Sequence, residues 1–498
     1  MQVVCNAEVV LTELGIPLPA RALIDGDWVD CGGVERSVTD PGTGMELAVV
    51  RDTSPEGVDA AVASARRAFD GWSVLSVAQR KVTMEQIANV IAANGDALAR
   101  VETMDTGKPL AQSLSDVKIA ERYFRYYGSS AENFFGDSIP INRNVQVTTL
   151  REPYGVVAHI TPWNAPISQL ARGVAPSLAV GNSVVVKPSE LAPLSSIMFA
   201  ALVSRVTPPG LINVIPGDGE VTGNALASHP GIDHITFTGS VSTGVLVAQA
   251  AAGNIVASNL ELGGKSAAII FADGDLAAAV KAATGALIRN SGQSCSALTR
   301  FIVHRSVVAE FSRLLVENVE RLSVGYGLDD RDVGPLISEK QRTRVFGLIH
   351  SAIQQGATLL TGSAELPDRD DLQDGYYALP TVLGAVTEDM SVAYEEVFGP
   401  VQSVMVFDTE EEAVRIANGT EYGLVAAVFT SDVSVAGRLG RVLQAGQVQV
   451  NGYIGAGAEI PFGGYKRSGH GREKGFEALY GYTQLKAIVT HIPDRVVS

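Results

Sequence analysis

From about residue 155 onward, short β-branched runs alternate with segments of helix length, and this alternation restricts the fold more than any other feature. GVVAHI (155–160), SVVVKP (183–188), LINVIP (211–216), HITFTG (234–239) and AAIIFAD (267–273) are bounded by Gly, Pro or Asp and read as buried strands. Segments 166–180 and 192–206 between them are long enough for crossover helices. Strand and crossover in alternation predict parallel α/β layers. A second series, RFIVH (300–304), GLVAAVFT (423–430) and QVQVN (447–451), predicts a second α/β domain. Stretches 57–70 and 78–101 read as amphipathic surface helices. DSIPINRNVQVTTLREP (137–153) alternates as an exposed strand does, and such a strand needs a partner to cover it.

A chain of 498 residues exceeds one ordinary core, so two or three domains are expected. With 46% hydrophobic and 18% charged residues it can bury sizeable cores and is not a disordered chain. Its 38 basic and 54 acidic side chains give a net charge of -16, which repels phosphate backbones and argues against nucleic-acid binding. The three cysteines, Cys5, Cys31 and Cys295, form no disulfide framework and no CxxC metal pair. No metal site is expected, and a reducing cytoplasm suits the chain. The start, MQVVCNAEVVLTEL, has no basic flank before an apolar core, and no apolar run approaches the roughly 18 residues needed to cross a bilayer. A cytoplasmic protein without a membrane span is expected.

Cys295 lies in RNSGQSCSALTR (289–300), among short, polar, turn-prone residues just past a helix-like run. Buried structural cysteines sit in apolar elements instead. The loop either holds an incidental thiol or presents one, and the surrounding residues alone leave both open.

Seven motifs then fall in one order: TPWN (161–164), KPSE (187–190), FTGSVSTG (237–244), LELGGK (260–265), GQSC (292–295), EEVFGP (395–400) and PFGGYKRSG (461–469). Together they resemble the aldehyde dehydrogenase superfamily, from about residue 21 to the end. The chemistry of the residues fits. A thiolate that attacks an aldehyde forms a tetrahedral thiohemiacetal, a good hydride donor, and the resemblance assigns this role to Cys295. It assigns the oxyanion donors to the side-chain amide of Asn164 and the backbone N–H of Cys295. Glu261, between Leu260 and Leu262 and followed by two glycines, would activate the water that releases the acid, as a carboxylate of raised pKa can.

The resemblance also implies NAD. Gly239 and Ser240 would bring backbone N–H groups to a phosphate at a helix N-terminus. Gly219 and Gly223, in PGDGEVTG (216–223), would lie near the adenine side, and Lys187 and Glu190 would hold the adenosine ribose hydroxyls. A carboxylate at Glu190 repels a 2′-phosphate, which favours NAD over NADP. Glu396 and Phe398 correspond to the nicotinamide-side ribose ligand and the side chain beside the ring, and Trp163 is placed on the cofactor side too.

The sequence departs from the family in places. Ala165 follows Asn164 where many relatives carry an aromatic, and NGYIGAGAEIPF (451–462) is rich in Gly and Ala, so a wide substrate tunnel is expected, with Ala456 and Phe462 on the substrate side. Gly173 stands where many relatives have a lysine tied to a proton relay, which puts a shared role for Glu473 in doubt. Arg172, eight positions after Asn164, and Arg289, six before Cys295, match carboxylate-binding arginines of succinate-semialdehyde dehydrogenases. The serine completing that set is replaced by Ala456, so the match is partial, and structural ion pairs are the alternative for both arginines.

The expected activity is oxidation of an aldehyde to the acid, of a semialdehyde or other anionic aldehyde in one reading and a bulky aromatic or amino aldehyde in another. The competing functions are a CoA-acylating semialdehyde dehydrogenase and a non-catalytic protein that keeps the fold. The resemblance implies three parts: a Rossmann-like NAD-binding domain (21–134 and 154–262), an α/β catalytic domain (263–464), and a small β oligomerisation element (135–153 and 481–498) in a homodimer or homotetramer.

Overall fold

The computed structural model describes residues 7–454 and 457–493. The strand-like runs from 155 to 261 become five parallel strands in one sheet, in the spatial order Ile212–Val214, Ser183–Lys187, Val156–Ile160, His234–Thr238, Ala257–Glu261. Numbered along the chain this is 3-2-1-4-5, the doubly wound order whose direction reverses between Val156–Ile160 and His234–Thr238. An antiparallel pair, Ala22–Ile24 with Asp27–Val29, extends one edge, and Gly469–His470 closes the other against Ala257–Glu261. Pro166–Val180 and Leu194–Val203 cross over where the helix-length segments lie. Every residue of Val156–Ile160 and Ser183–Lys187 is buried, as strands covered by helices on both faces require.

A second sheet of seven strands runs Thr358–Thr361, Thr381–Gly384, Val401–Phe407, Leu298–His304, Ser266–Ile270, Val425–Phe429, Gln447–Val450, all parallel except the first pair. The molecule is therefore α/β with two mainly parallel sheets, as the alternation predicts.

Two expectations change in detail. The stretch 78–101 is not one helix but two, Val77–Ala93 and Gly95–Thr106, broken at Asn94 (φ -112°, ψ 17°). Asn followed by Gly favours the turn over helix continuation. The segment 137–153 is a hairpin, Ser138–Asn142 and Val145–Pro153, instead of a single strand. Its cover comes from the far end of the chain: Thr483–His491 pairs antiparallel along the whole of Val145–Pro153. Ser138–Asn142 remains an exposed edge. Among the described residues no helix is long and apolar enough to cross a membrane.

Candidate active site

Ligands of open α/β sheets bind outside the carboxyl ends of the strands, at the switch point. Those ends carry the sequence motifs. Thr161–Asn164 follows Val156–Ile160, Lys187 ends its strand, Gly239–Ser240 follows His234–Thr238, and Glu261 ends Ala257–Glu261. Cys295 approaches from the other side, three residues before the second sheet's strand Leu298–His304.

The thiol loop is a built one. Asn290 (φ 46°), Ser291 (φ 56°) and Gly292 (φ 72°) are successive left-handed residues, separated from helix Leu276–Ile288 by the extended Arg289 alone. For non-glycine residues this conformation costs roughly 1 to 2 kcal/mol each. Hydrogen bonds hold it: Asn290 N–H donates to Gln112 Oε1 (2.7 Å), Asn290 Nδ2 to the Asn164 carbonyl (2.8 Å), and Ser291 Oγ to the Gly334 carbonyl (2.8 Å). The wholly buried Gln293 donates to the Asn290 carbonyl (3.0 Å) and accepts from Ile337 N–H (2.9 Å). A Cβ on Gly292 would lie 2.1 Å from the Gly399 carbonyl oxygen, so only glycine fits there.

Asn164 is pinned to the same loop. Its Nδ2 donates to the Gln293 carbonyl (3.0 Å), which commits one of the two amide hydrogens. The Glu261–Lys265 turn runs against the thiol residue itself, since a Cβ on Gly264 would lie 2.2 Å from the Cys295 carbonyl oxygen. Glu261 is 2% exposed, and neither carboxylate oxygen has a hydrogen-bond partner. Burial, reinforced by the Glu473 carboxylate and opposed by Arg172, holds its carboxyl well above the usual range. Burial likewise pushes the Cys295 thiol up to about 11, with the Arg172 charge pulling against it.

Cys295, Asn164, Ala165, Arg172, Arg289 and Phe462 all line one cavity of about 750 Å³. Ala456 lies outside the described residues. The two arginines differ in state. Arg172 is 5% exposed and ion-paired through Nε with Glu473; its guanidinium stands 5.5 Å from the Phe462 ring centre, and Nη2 donates to Thr238 Oγ1 (3.3 Å). Its charge is thus already matched from within the fold. Arg289 is half exposed and 3.9 Å from Asp116. At Gly173, an added Cβ would lie 2.6 Å from His159 Nδ1, so a lysine there would collide with that ring. His159 is buried between Thr236 Oγ1 (2.5 Å) and Ser177 Oγ (3.1 Å), and burial lowers its pKa to about 3. Glu473 serves Arg172 instead.

The cofactor candidates form a second group on the same face. Lys187 Nζ is buried, donates to the Pro188 (2.8 Å) and Gly217 (2.6 Å) carbonyls, and lies 3.8 Å from the partly exposed Glu190. Gly219 and Gly223 bound a π-helical turn capped by Asp218, with open space beside Gly219. Ser240 caps helix Val241–Gly253 by accepting from Thr243 N–H (3.2 Å); Gly239 N–H, expected to face a phosphate, is instead committed to the Glu261 carbonyl (3.0 Å) by the pairing of adjacent strand ends. The first turn of that helix carries no acidic residue, so no side-chain charge offsets the positive end of its dipole. Glu396 accepts from Gly264 N–H (2.9 Å), and burial raises its pKa to about 7. Trp163 and Phe398 meet edge to face at 5.3 Å. An unneutralised helix N-terminus, a carboxylate beside a buried lysine and a paired aromatic edge fit a dinucleotide.

The aldehyde dehydrogenase family model matches residues 28–488. The chain is 41% identical to aldehyde dehydrogenase family 2 member B4, mitochondrial, of Arabidopsis thaliana, over 94% of this chain and 88% of that protein. It is 39% identical to human retinal dehydrogenase 2, over 95% of this chain and 92% of that protein. This chain belongs to the aldehyde dehydrogenase family. A crystal structure of betaine aldehyde dehydrogenase from Staphylococcus aureus in complex with NAD+ superimposes with a TM-score of 0.94 at 37% identity, covering 99% of this chain and 98% of that one.

As an aldehyde dehydrogenase, the chain carries further cavity residues that the motifs do not single out. Lys474 lines the cavity with its ammonium 5.0 Å from the Phe462 ring centre. Tyr453 lines it too and donates to the Ser296 carbonyl (2.8 Å), steadying the residue after Cys295. For Lys474 the sequence offers only GREKG (471–475), three charged residues between glycines just past a recognised motif, which reads as a charged turn. Tyr453 carries no signal, because one aromatic in a loop has no periodic context.

Proposed function

We propose that this aldehyde dehydrogenase oxidises an aldehyde to the free carboxylic acid with NAD, by covalent catalysis at Cys295. The observation that carries the reading is the strained thiol loop, tied to Asn164 on one side and packed against the Glu261–Lys265 turn on the other. Cys295 Sγ, once deprotonated, forms a C–S bond to the aldehyde carbon, and the carbonyl π pair becomes an oxyanion. The second amide hydrogen of Asn164 and the backbone N–H of Cys295 stabilise that charge. NAD, when bound, would supply the acceptor for the hydride that leaves the aldehyde carbon as the oxyanion re-forms C=O, which leaves a thioester on Cys295. Lys187 and Glu190 would hold the cofactor's adenosine ribose, Gly219 and Gly223 the adenine side, Ser240 at the helix N-terminus a phosphate with Gly239 as the turn leading into it, Glu396 the second ribose, and Trp163 and Phe398 the ring. Glu261 then takes a proton from water as its oxygen attacks the thioester carbon, and Cys295 leaves as thiolate with the acid released.

Glu190 favours NAD over NADP, because a 2′-phosphate would meet its charge. Glu261 also argues for hydrolysis over transfer to CoA. The test is an aldehyde panel followed at the NADH absorbance band, first without CoA and then with it. NADH without CoA is the expected result; a strict requirement for CoA would overturn the hydrolytic reading, and no NADH under either condition would favour a non-catalytic role.

The two sheets support an NAD-binding unit of 21–134 and 154–262 and a catalytic unit of 263–464. The sheet of Ser138–Asn142, Val145–Pro153 and Thr483–His491 exposes Ile139, Ile141, Leu485, Ile488 and Val489, which supports 135–153 with 481–498 as the assembly element of a homodimer or homotetramer. Free thiols at Cys31 and Cys295 support a reducing, cytoplasmic setting.

A further inference from the structure

The loop that presents Cys295 leads into the second sheet, yet part of its support comes from elsewhere. Helix Leu110–Ser130 shares a core with the first sheet's crossover helix Pro166–Val180 and lays Gln112, Asp116, Ile119 and Tyr123 along one wall of the catalytic cavity. Steps of four, three and four residues keep these side chains on one helix face.

Gln112 spends both ends of its amide on the backbone just ahead of the strained run. Its Nε2 donates to the Ile288 carbonyl (3.0 Å), and its Oε1 accepts from Asn290 N–H (2.7 Å). These two groups flank Arg289, which is extended (φ -61°, ψ 108°), so the amide pairs with the chain as a neighbouring strand would. A carbonyl on one side and an N–H on the other admit a single orientation of the amide. Helix Leu276–Ile288 ends here, where its last carbonyls lack intrahelical partners. Gln112 takes one of them and fixes the N–H of the first left-handed residue beyond it. Asn290 and Ser291 hold that conformation only while contacts around them over-determine it.

The Asn164 side of the site is referred to the same stretch of chain. Glu102 Oε2 accepts from Ile167 N–H (3.0 Å), three residues after Asn164, and Lys108 ties Glu102 to Asp116 on the Gln112 helix. Residues 102–116 therefore set the spacing between the Asn164 amide and the Cys295 backbone N–H, the two donors that must meet one oxyanion. Glu102 and Lys108 are wholly buried charges, and removing either would leave the other unpaired and test folding instead. Gln112 is neutral and partly buried, so its two hydrogen bonds can be removed alone.

We infer that Gln112 is a positioning residue for acylation: by bracketing Arg289 it sets the left-handed run that brings the Cys295 thiol and backbone N–H to the aldehyde. The inference rests on the covalent reading above. Gln112 makes no bond to the reacting atoms in this role. Its loss should slow thiohemiacetal formation and hydride transfer while sparing NAD binding, because the cofactor candidates lie at other strand ends.

The experiment mixes the purified full chain, in excess and with saturating NAD, with aldehyde in a stopped-flow instrument. NADH is followed over a single turnover, so the rate reports acylation and hydride transfer whichever step limits the steady state. The aldehyde is whichever of butanal, benzaldehyde and succinate semialdehyde wild type oxidises fastest. Gln112→Met keeps the length of the side chain and removes both hydrogen bonds. Gln112→Glu, ionised at pH 8, keeps the acceptor for Asn290 N–H and loses the donor to Ile288. The single-turnover rate should fall at least about tenfold in Gln112→Met, or about 1.4 kcal/mol, and by a smaller factor in Gln112→Glu. NAD affinity by fluorescence titration should stay within twofold of wild type, and thermal midpoints within a few degrees. A rate within twofold of wild type in every variant that folds overturns the inference alone. A loss of rate matched by an equal loss of NAD affinity also overturns it, since Gln112 would then brace the fold in general. NADH formed as fast by Cys295→Ala as by wild type, or no NADH from wild type with any of the three aldehydes, overturns the covalent reading and the inference with it.

Discussion

Replacing Glu261 by Gln tests the mechanism where the structure is most specific. The two side chains are nearly isosteric, so the buried end of strand Ala257–Glu261, clamped between Thr238 and Gly469, keeps its shape. The acid–base function alone is lost. Loss of a general base slows its step by roughly 10²- to 10⁴-fold, or about 3 to 5 kcal/mol at 1.36 kcal/mol per decade. Only deacylation should suffer. Stopped-flow mixing with NAD and aldehyde should therefore show a burst of about one NADH per active site, followed by a steady state reduced by that factor. In wild type the same carboxyl sits well above the usual range through burial, so its basic form gains as pH rises, and steady turnover should climb with pH. The burst rate should also climb, but through Cys295, whose thiol is raised to about 11. Linkage supplies an independent check. The folded state holds a proton on Glu261 that the unfolded chain releases near pH 4.5, so this group opposes folding increasingly as pH rises above that value. Glu261→Gln should raise the thermal midpoint at pH 8 and lose that advantage at pH 4. A vanished burst would mean that Glu261 acts before hydride transfer, and an undiminished steady state would remove it from catalysis; either result refutes the deacylation argument.

Cys295→Ala should abolish turnover while NAD titration by protein fluorescence stays close to wild type, because the cofactor candidates lie on other loops; appreciable oxidation by the folded variant would refute the nucleophile. Glu190→Ser should raise the NADP to NAD ratio of kcat/KM, and a wild type that already prefers NADP would contradict the role given to Glu190. Arg172→Ala leaves Glu473 buried without its partner, a loss of about 3 to 5 kcal/mol, so chemical denaturation should show a marked drop in stability and all aldehydes should suffer alike; a loss confined to carboxylate-bearing aldehydes would show that Arg172 binds substrate after all.

Much of this molecule was legible along the chain because the information is local. Period, β-branching and bounding Gly or Pro mark Val156–Ile160 or Ser183–Lys187 as buried strands without knowledge of any neighbour. Their carboxyl ends carry TPWN, KPSE and TGS, so the catalytic and cofactor motifs could be placed in order as soon as the α/β alternation was seen. What the residues could not express is pairing across distance. Only the folded chain brings Glu473 to Arg172 across 301 positions, and so turns a candidate substrate arginine into one already matched. Likewise His159 beneath Gly173 explains a missing lysine through a collision between side chains from a strand and its crossover helix. The cover for Val145–Pro153 comes from Thr483–His491, a pairing no local pattern could supply. Lys474 reads as an ordinary surface charge in GREKG, and becomes a cavity residue only because the backbone turns left-handed there and Phe462 offers its ring. Local periodicity is written in neighbouring residues, whereas charge compensation and cavity shape depend on which distant side chains the fold makes adjacent.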